Sequence, residues 1–239
     1  MDRRKKFIVD ILPRVTNLLD ERFPKNFLYS YQKGYLAEAD TRVHQFVTSE
    51  IRGQFPDDQI LSEEGEWSEL SFAGKKTHLW ILDPICGSMN FIRSVPIFAC
   101  SLCVLDEAGV LFAGIYDPNQ DELFFADRSI TTLNGEKVSV SDTTILSDAL
   151  INLNCNQSDW KSEEPDLQTL VHAFAPPVTR RVHIFESANL ELAYVACGRL
   201  DAYLNPTDKI WDIAGGSLMV ASAGGSVNIL KGSLSDPTK

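Results

Sequence analysis

Apolar residues in the first fifty positions recur at three- and four-residue intervals. From Lys5 to Phe23 they are Phe7, Ile8, Ile11, Leu12, Val15, Leu18 and Leu19, the spacing of a helix with one apolar face. Pro13 lies inside the run and predicts a kink or a later start, and Pro24 marks its end. Tyr29 to Ala39, around Gly34, reads as a loop or short hairpin. A second helix is expected from Ala39–Thr41 to Gly53, burying Val43, Phe46, Val47 and Ile51. After the turn Phe55-Pro56-Asp57-Asp58, Gln59 to Ser62 predicts a short strand that delivers Glu63 and Glu64 to its end. The polar stretch from Gly65 to Thr77 reads as a mobile loop.

The pattern then changes to period two and to short apolar runs. Leu79 to Leu82 predicts a buried strand, and further strands are expected over Ile97–Asp106, Val110–Asp117 and Glu122–Asp127. Asp106-Glu107-Ala108-Gly109 and Asp117-Pro118-Asn119-Gln120 are hairpin-like connections, and Asn134-Gly135 is another, before Val138 to Ser141. Residues 1–142 therefore read as two helices on an antiparallel sheet. Residues 143–239 alternate instead. Strands are expected at Ser147–Asn154, Thr179–Phe185 and Leu200–Leu204, with helices at Asp166–Phe174, Ala188–Cys197 and Ile213–Ala223. Gly198 and Gly224-Gly225 end the last two helices. Such alternation implies layered α/β structure. No internal repeat or low-complexity tract is visible, and the two halves are read as one domain.

Composition narrows the function classes. A chain of 239 residues is long enough for a sizeable core. Its formal net charge of −11 argues against a general nucleic-acid or acidic-membrane binder, which needs basic surface. A small phosphorylated substrate stays possible, because a bound cation reverses the local field. Five cysteines without a disulfide pattern favour a reducing, cytoplasmic setting. The basic start Arg3-Arg4-Lys5-Lys6 leads into an apolar run broken by Asp10, so neither a secretory signal nor a membrane span is expected.

The candidate chemistry lies in Trp80-Ile81-Leu82-Asp83-Pro84-Ile85-Cys86-Gly87-Ser88-Met89-Asn90-Phe91. Asp83 is placed at a strand end, Pro84 forbids a ladder hydrogen bond, and Gly87-Ser88 suits the start of a helix. A carboxylate there can hold a hard cation, and free N–H groups at a helix start can hold a phosphate.

Asp83-Pro84-Ile85-Cys86-Gly87-Ser88-x-Asn90-Phe91 resembles the D-P-[IL]-D-G-T-x-N-F motif of the inositol monophosphatase family. Glu63-Glu64 is similar to the family's upstream acidic pair. Trp211-Asp212, followed after eleven residues by Gly224-Gly225, fits its W-D-x(11)-G-G. The resemblance covers nearly the whole chain. It implies an αβαβα sandwich and metal-dependent hydrolysis of a small phosphomonoester. A further strand and helix usually follow the Gly-Gly pair in the family, so an incomplete last layer is expected here.

The resemblance also implies roles. Glu63, Asp83 and the Ile85 carbonyl would hold one Mg²⁺, and Asp83 and Asp212 would share a second. Water would lie near Glu63 and Ser88, with Asp40 hydrogen-bonded to Ser88. The N–H groups of Gly87 and Ser88 would grip the phosphate. A homodimer is expected on the same ground. Cys86 stands where the family has its second Asp, a metal ligand. A thiol is neutral near pH 7 (free pKa about 8.5) and its thiolate is soft. Three outcomes are open: a weakly bound second ion and slow turnover, preference for a softer ion such as Mn²⁺ or Zn²⁺, or a binder of phosphorylated ligands without turnover. The retained set Glu63, Asp83, Ser88, Asp40 and Asp212 favours a hydrolase.

Substrate contacts depart further from the family. Glu186-Ser187-Ala188 resembles its G-S-A turn with Glu in place of Gly, and Asn205 falls where inositol-specific members carry a Glu. Inositol phosphate is therefore only one of several sugar or polyol phosphates that fit. Cys100 and Cys103, three apart in an expected strand, face opposite sides and read as core thiols. His44, His78, His172 and His183 make no metal-ligand spacing.

Overall fold

The computed structural model describes residues 2–19, 29–65, 77–154, 167–206 and 208–229, with only the backbone of 29–37 and 167. The expected loop from Gly65 to Thr77 lies almost wholly outside them. The N-terminal segment is divided as Pro13 predicts: helix α1 (Arg3–Ile11), a 3-10 turn over Leu12–Val15, and helix α2 (Thr16–Leu19). Asp2 caps α1 by accepting from the Arg4 amide at 2.7 Å. The expected loop around Gly34 is corrected: Tyr29–Gln54 is one continuous helix, α3. A single interior glycine costs a helix only about 1 kcal/mol. The buried row Ala39, Val43, Val47 and Ile51, spaced by four, anchors the C-terminal part.

Seven strands form the larger sheet: β1 (Gln59–Ser62), β2 (Leu79–Cys86), β3 (Ala99–Asp106), β4 (Gly109–Asp117), β5 (Glu122–Asp127), β6 (Ile130–Leu133) and β7 (Glu136–Val138). They lie side by side in chain order. The sheet is not wholly antiparallel as expected, because β1 runs parallel to β2, with Ser62 opposite Leu82. Strand β2 has no polar alternation because both its faces are covered. Trp80 and Leu82 join the core under α1 and α3, while Leu79 and Ile81 join the core on the other side. Cys100 and Cys103 of β3 fall into these two different cores, as period-two alternation predicts.

The second half supplies β8 (Leu150–Leu153), helix α5 (Leu167–Phe174), β9 (Arg181–His183), helix α6 (Ala188–Ala196), β10 (Ala202–Leu204) and helix α7 (Ile210–Ser222). The three strands are parallel in the order β10-β8-β9. Leu150 packs toward α6 and α7, whereas Ile151 and Leu153 pack with Leu170, Val171 and Phe174 of α5. The layers thus alternate: α1 and α3, the large sheet, α6 and α7, the small sheet, α5. Gly216 lets α6 and α7 cross closely, since a Cβ there would lie 2.4 Å from the Leu192 Cβ. Among the described residues no helix is long and apolar enough to cross a membrane.

Candidate active site

The large sheet and the α6–α7 layer meet at the end of β2. The strand continues past Asp83 to Cys86, but its pairing with β3 shifts register between these residues, where Pro84 interrupts the ladder. Asp83 and Cys86 are consequently both buried. Gly87 then turns the chain with φ of +98° into the short helix α4 (Ser88–Ile92). A side chain is doubly disfavoured there: the conformation is left-handed, and a Cβ would lie 2.9 Å from the Ile97 carbonyl oxygen. The Ser88 hydroxyl donates to the Ile85 carbonyl at 3.1 Å. Asn90 ties the turn down, its amide donating to the carbonyls of Ile97 at 2.8 Å and Phe185 at 2.5 Å.

Helices α6 and α7 close the other side. Asp212 is the third residue of α7, and its Oδ2 accepts from the Lys209 amide at 2.8 Å, a carboxylate cap of the helix start. At the start of α6, the Ser187 hydroxyl donates to the Cys86 carbonyl at 2.9 Å and the Asn189 amide donates to Cys86 Sγ at 3.3 Å. The Asn189 side chain is fully buried and donates to Asp83 Oδ2 at 2.9 Å and to the Trp211 carbonyl at 3.1 Å. Donor atoms of Asp83, Cys86 and Asp212 all fall within 4.8 Å of one another.

These groups crowd like charges into a desolvated place. Burial, then the carboxylates of Glu63 and Asp212, push Asp83 well above the usual range. Burial raises Asp212 too, partly offset by the Lys209 amide. Glu63 directly follows β1, and its amide donates to the Leu82 carbonyl at 3.3 Å. Although Glu63 is exposed as a residue, its carboxyl is partly desolvated and faces Asp212 and Glu64, which together bring it up to about 7. Asp40, on α3 and only 5% exposed, rises to about 8 through burial and then the charges of Glu64 and Glu63. Burial and the charges of Asp83 and Asp212 push the Cys86 thiol upward. Among the described residues, the ion pairs, such as Arg4–Asp58, Lys5–Asp127 and Arg199–Glu122, involve none of Glu63, Asp83 or Asp212. Asp83 Oδ1, though buried, has no donor in hydrogen-bond geometry, although the Cys86 thiol and the Glu63 carboxyl lie beside the Asp83 carboxyl. A cation is the simplest group to satisfy such a set.

Of the remaining expected contacts, Ser187 touches Cys86 directly. Glu186 is exposed and adopts φ of +59°, a left-handed conformation unusual for glutamate. Ser187 and Ala188 are buried at the head of α6. Asn205 follows β10 directly. His44 contacts Ser62 at 2.9 Å from α3, and His172 is exposed. Sequence reasoning missed Asn189 and Glu191. Both are polar residues in the otherwise apolar run Ala188-Asn189-Leu190-Glu191-Leu192-Ala193, and that run is the signal that could have found them. Glu191 is fully buried; Oε1 accepts from the Ser187 amide at 3.0 Å. Burial raises it to about 7, and Oε2 has no donor in hydrogen-bond geometry, although the equally buried Asn152 lies beside it.

Five alternating layers with an acidic cluster at the end of a central strand define an α/β sandwich of the sugar-phosphatase class. The chain belongs to the inositol monophosphatase family, whose model matches residues 1–239. It is 30% identical over 233 residues to a fructose-1,6-bisphosphatase/inositol-1-monophosphatase of Thermotoga maritima, covering 96% of this chain and 86% of that one. It is 31% identical over 199 residues to the Nus factor SuhB of Xylella fastidiosa, covering 83% and 70%. Among solved structures, an inositol monophosphatase from Anabaena superposes with a TM-score of 0.79 at 28% identity, over 92% of this chain and 81% of that one. Membership supports phosphatase activity.

Proposed function

We propose that this chain hydrolyses a small sugar or polyol phosphate by direct attack of water, with divalent cations as cofactors. The observation that carries the reading is the convergence of Asp83, Cys86 and Asp212, drawn from β2 and α7, within 4.8 Å. The donor set fits divalent ions: mutually repelling acids, one buried carboxylate oxygen without a donor, and no competing ion pair among the described residues. Glu63, Asp83 and the Ile85 carbonyl would hold one ion, for which Mg²⁺ or Mn²⁺ suits the all-oxygen ligation, and Asp83 and Asp212 a second beside Cys86. Bound there, the cations would supply positive charge to the phosphoryl oxygens and acidify water.

The chain's own residues divide the remaining work. Gly87 and Ser88 present amides to a phosphate oxygen at the tight turn after β2. Ser88 and Asp40 position the attacking water, and Glu63 takes its proton. Glu186, Ser187, Ala188 and Asn205 border the place of the organic part of the substrate. Cys86 is not the nucleophile in this reading. Its thiol is buried and pushed upward, and Gly87-Ser88-Met89-Asn90 carries no arginine for a phosphate loop. The working form is taken to be a cytoplasmic homodimer, which light scattering of the purified chain would check.

Release of inorganic phosphate from a panel of sugar and polyol phosphates, with Mg²⁺ or Mn²⁺, tests the proposal. Asp83→Asn and Asp212→Asn should each abolish the release. Cys86, in a position that would otherwise supply a third carboxylate, favours one other reading: a relative that binds a phosphorylated ligand without turnover. Absence of phosphate release with any divalent ion, Zn²⁺ and Co²⁺ included, at enzyme concentrations near that of substrate, selects that second reading.

A further inference from the structure

We propose that Asp83, Cys86 and Asp212 form a cation position selective for a thiophilic divalent ion, Zn²⁺ or Co²⁺, over Mg²⁺. The inference deepens the hydrolase reading, since it assigns different ions to two neighbouring positions of the same cleft. The oxygen-only set of Glu63, Asp83 and Ile85 suits a hard ion, and the mixed oxygen–sulfur set suits a softer one.

The geometry is close to what such an ion needs. Two donors each about 2.0–2.3 Å from a tetrahedral centre stand about 3.3–3.8 Å apart. The three donors here already lie within 4.8 Å, so side-chain adjustments on the order of an ångström close the set. Three protein ligands with a fourth position open is also the usual composition of a catalytic rather than structural zinc site. Asp83 is 1% exposed, its Oδ2 is held by Asn189, and its Oδ1 is left without a donor. The Cys86 thiol and the Glu63 carboxyl lie beside this carboxyl group without giving Oδ1 a donor in hydrogen-bond geometry, and a cation held there would satisfy the buried oxygen.

Burial and the charges of Asp83 and Asp212 hold the Cys86 thiol protonated in the absence of a cation, but one neighbour favours sulfur as an anionic ligand. The Asn189 amide, in the first turn of the nine-residue helix α6, donates to Cys86 Sγ at 3.3 Å. An N–H at the positive end of a helix lowers the cost of negative charge on sulfur. The Ser187 hydroxyl fixes the same residue through its carbonyl at 2.9 Å, so Cys86 is held at both its backbone and its sulfur. On binding, the Cys86 S–H bond breaks, the sulfur electron pair passes to the cation, and the proton leaves to solvent. Mg²⁺ gains little from a thiolate and gives up its water reluctantly. For Zn²⁺ and Co²⁺ the same sulfur is a strong ligand.

The full chain, freed of metal by chelation, is titrated with Co²⁺ while the near-ultraviolet sulfur-to-cobalt charge-transfer band is followed. The expected result is a saturable band that Zn²⁺ bleaches at stoichiometric amounts and a large excess of Mg²⁺ leaves standing. Cys86→Ser should remove the band, and Cys86→Asp should remove it while tightening Mg²⁺ binding by about tenfold or more. Thermal melts of both variants establish that they are folded. If one is not, the other and the Zn²⁺–Mg²⁺ competition on the unaltered chain decide. A band that is absent, that survives loss of Cys86, or that Mg²⁺ displaces as readily as Zn²⁺ overturns the proposal. Mg²⁺-dependent phosphate release without a cobalt band leaves the hydrolase reading standing and sinks this inference alone. A Cys86-dependent band without phosphate release does the opposite.

Discussion

The side-chain amide of Asn189 lies 2.9 Å from Asp83 Oδ2 and also reaches the Trp211 carbonyl, at 3.1 Å. One buried residue of α6 therefore bridges the end of β2 to the start of α7, the two elements that carry the acids. Asn189→Ala leaves both acceptors without this donor, and each buried acceptor so stranded costs about 1–3 kcal/mol. The variant should melt lower in chelator by about 2–4 °C per kcal/mol lost. It should bind divalent ions more weakly, since hydrogen-bonded partners of metal ligands orient them. Calorimetric melts with and without added ion check both effects. An unchanged melt in chelator would show that the bridge carries no weight.

Gly87 combines a φ of +98° with a Cβ position 2.9 Å from the Ile97 carbonyl oxygen. Gly87→Ala should therefore cost about 1–3 kcal/mol of stability. It should also disturb Ser88 and Cys86 on either side. We expect phosphate release to fall more steeply than stability, because the turn both folds the chain and presents the amides. Urea denaturation together with turnover, measured on one preparation, separates the two.

Burial pushes the Glu191 carboxyl up to about 7, from an ordinary value of 4.5. The folded state then holds this proton more tightly than the unfolded chain between those pH values. Stability contributed by the protonated form is full below about pH 4.5 and is lost as pH rises through about 7. Glu191→Gln keeps the shape and removes the charge. Its stability relative to the unaltered chain should be level at pH 4 and should gain about 1–3 kcal/mol at pH 8. Urea melts at the two pH values read the difference, and a gain that is the same at both would refute the assignment.

Glu186 holds a left-handed conformation at φ of +59°, which costs a residue with a Cβ about 1–2 kcal/mol. Glu186→Gly relieves that strain but adds freedom to the unfolded chain. The net expectation is a gain of a few tenths to about 1 kcal/mol. Glu186→Ala keeps the strain and removes only the charge. If the carboxylate repels anionic substrates, both variants lower KM, whereas only the glycine variant raises the melting temperature.

Much of the site was written locally. Asp83, Cys86, Gly87 and Ser88 are contiguous enough to be read as one strand-to-helix turn, whereas Asp212 beside Trp211 reads alone as an ordinary helix cap and was singled out only by the family resemblance. The hydrophobic period divides the chain into a sheet half and an alternating α/β half, and the five-layer stacking was an implication of the family resemblance. Three features were not legible. The helical course of residues 29–38 was hidden by Gly34, whose small local penalty was mistaken for a break. The parallel pairing of β1 with β2 depends on how a long connection travels, which periodicity does not encode. Asn189 and Glu191 sit on a buried helix where polar residues acquire meaning only from their partners, which for Asn189 include Cys86 and Asp83, about a hundred positions away.

Cys86 and the Asn189 amide that touches it are separated by 103 residues, and Asp212 follows later still. During synthesis, β2 and its turn emerge long before the helices that complete them. The half-made chain thus carries buried-type acids with nothing yet to cover them, and non-local closure of this kind is slow. A nascent or prematurely ended chain lacking α7 would own the most recognisable motif and yet have no working centre. Competence arrives only when the last third of the polypeptide has docked.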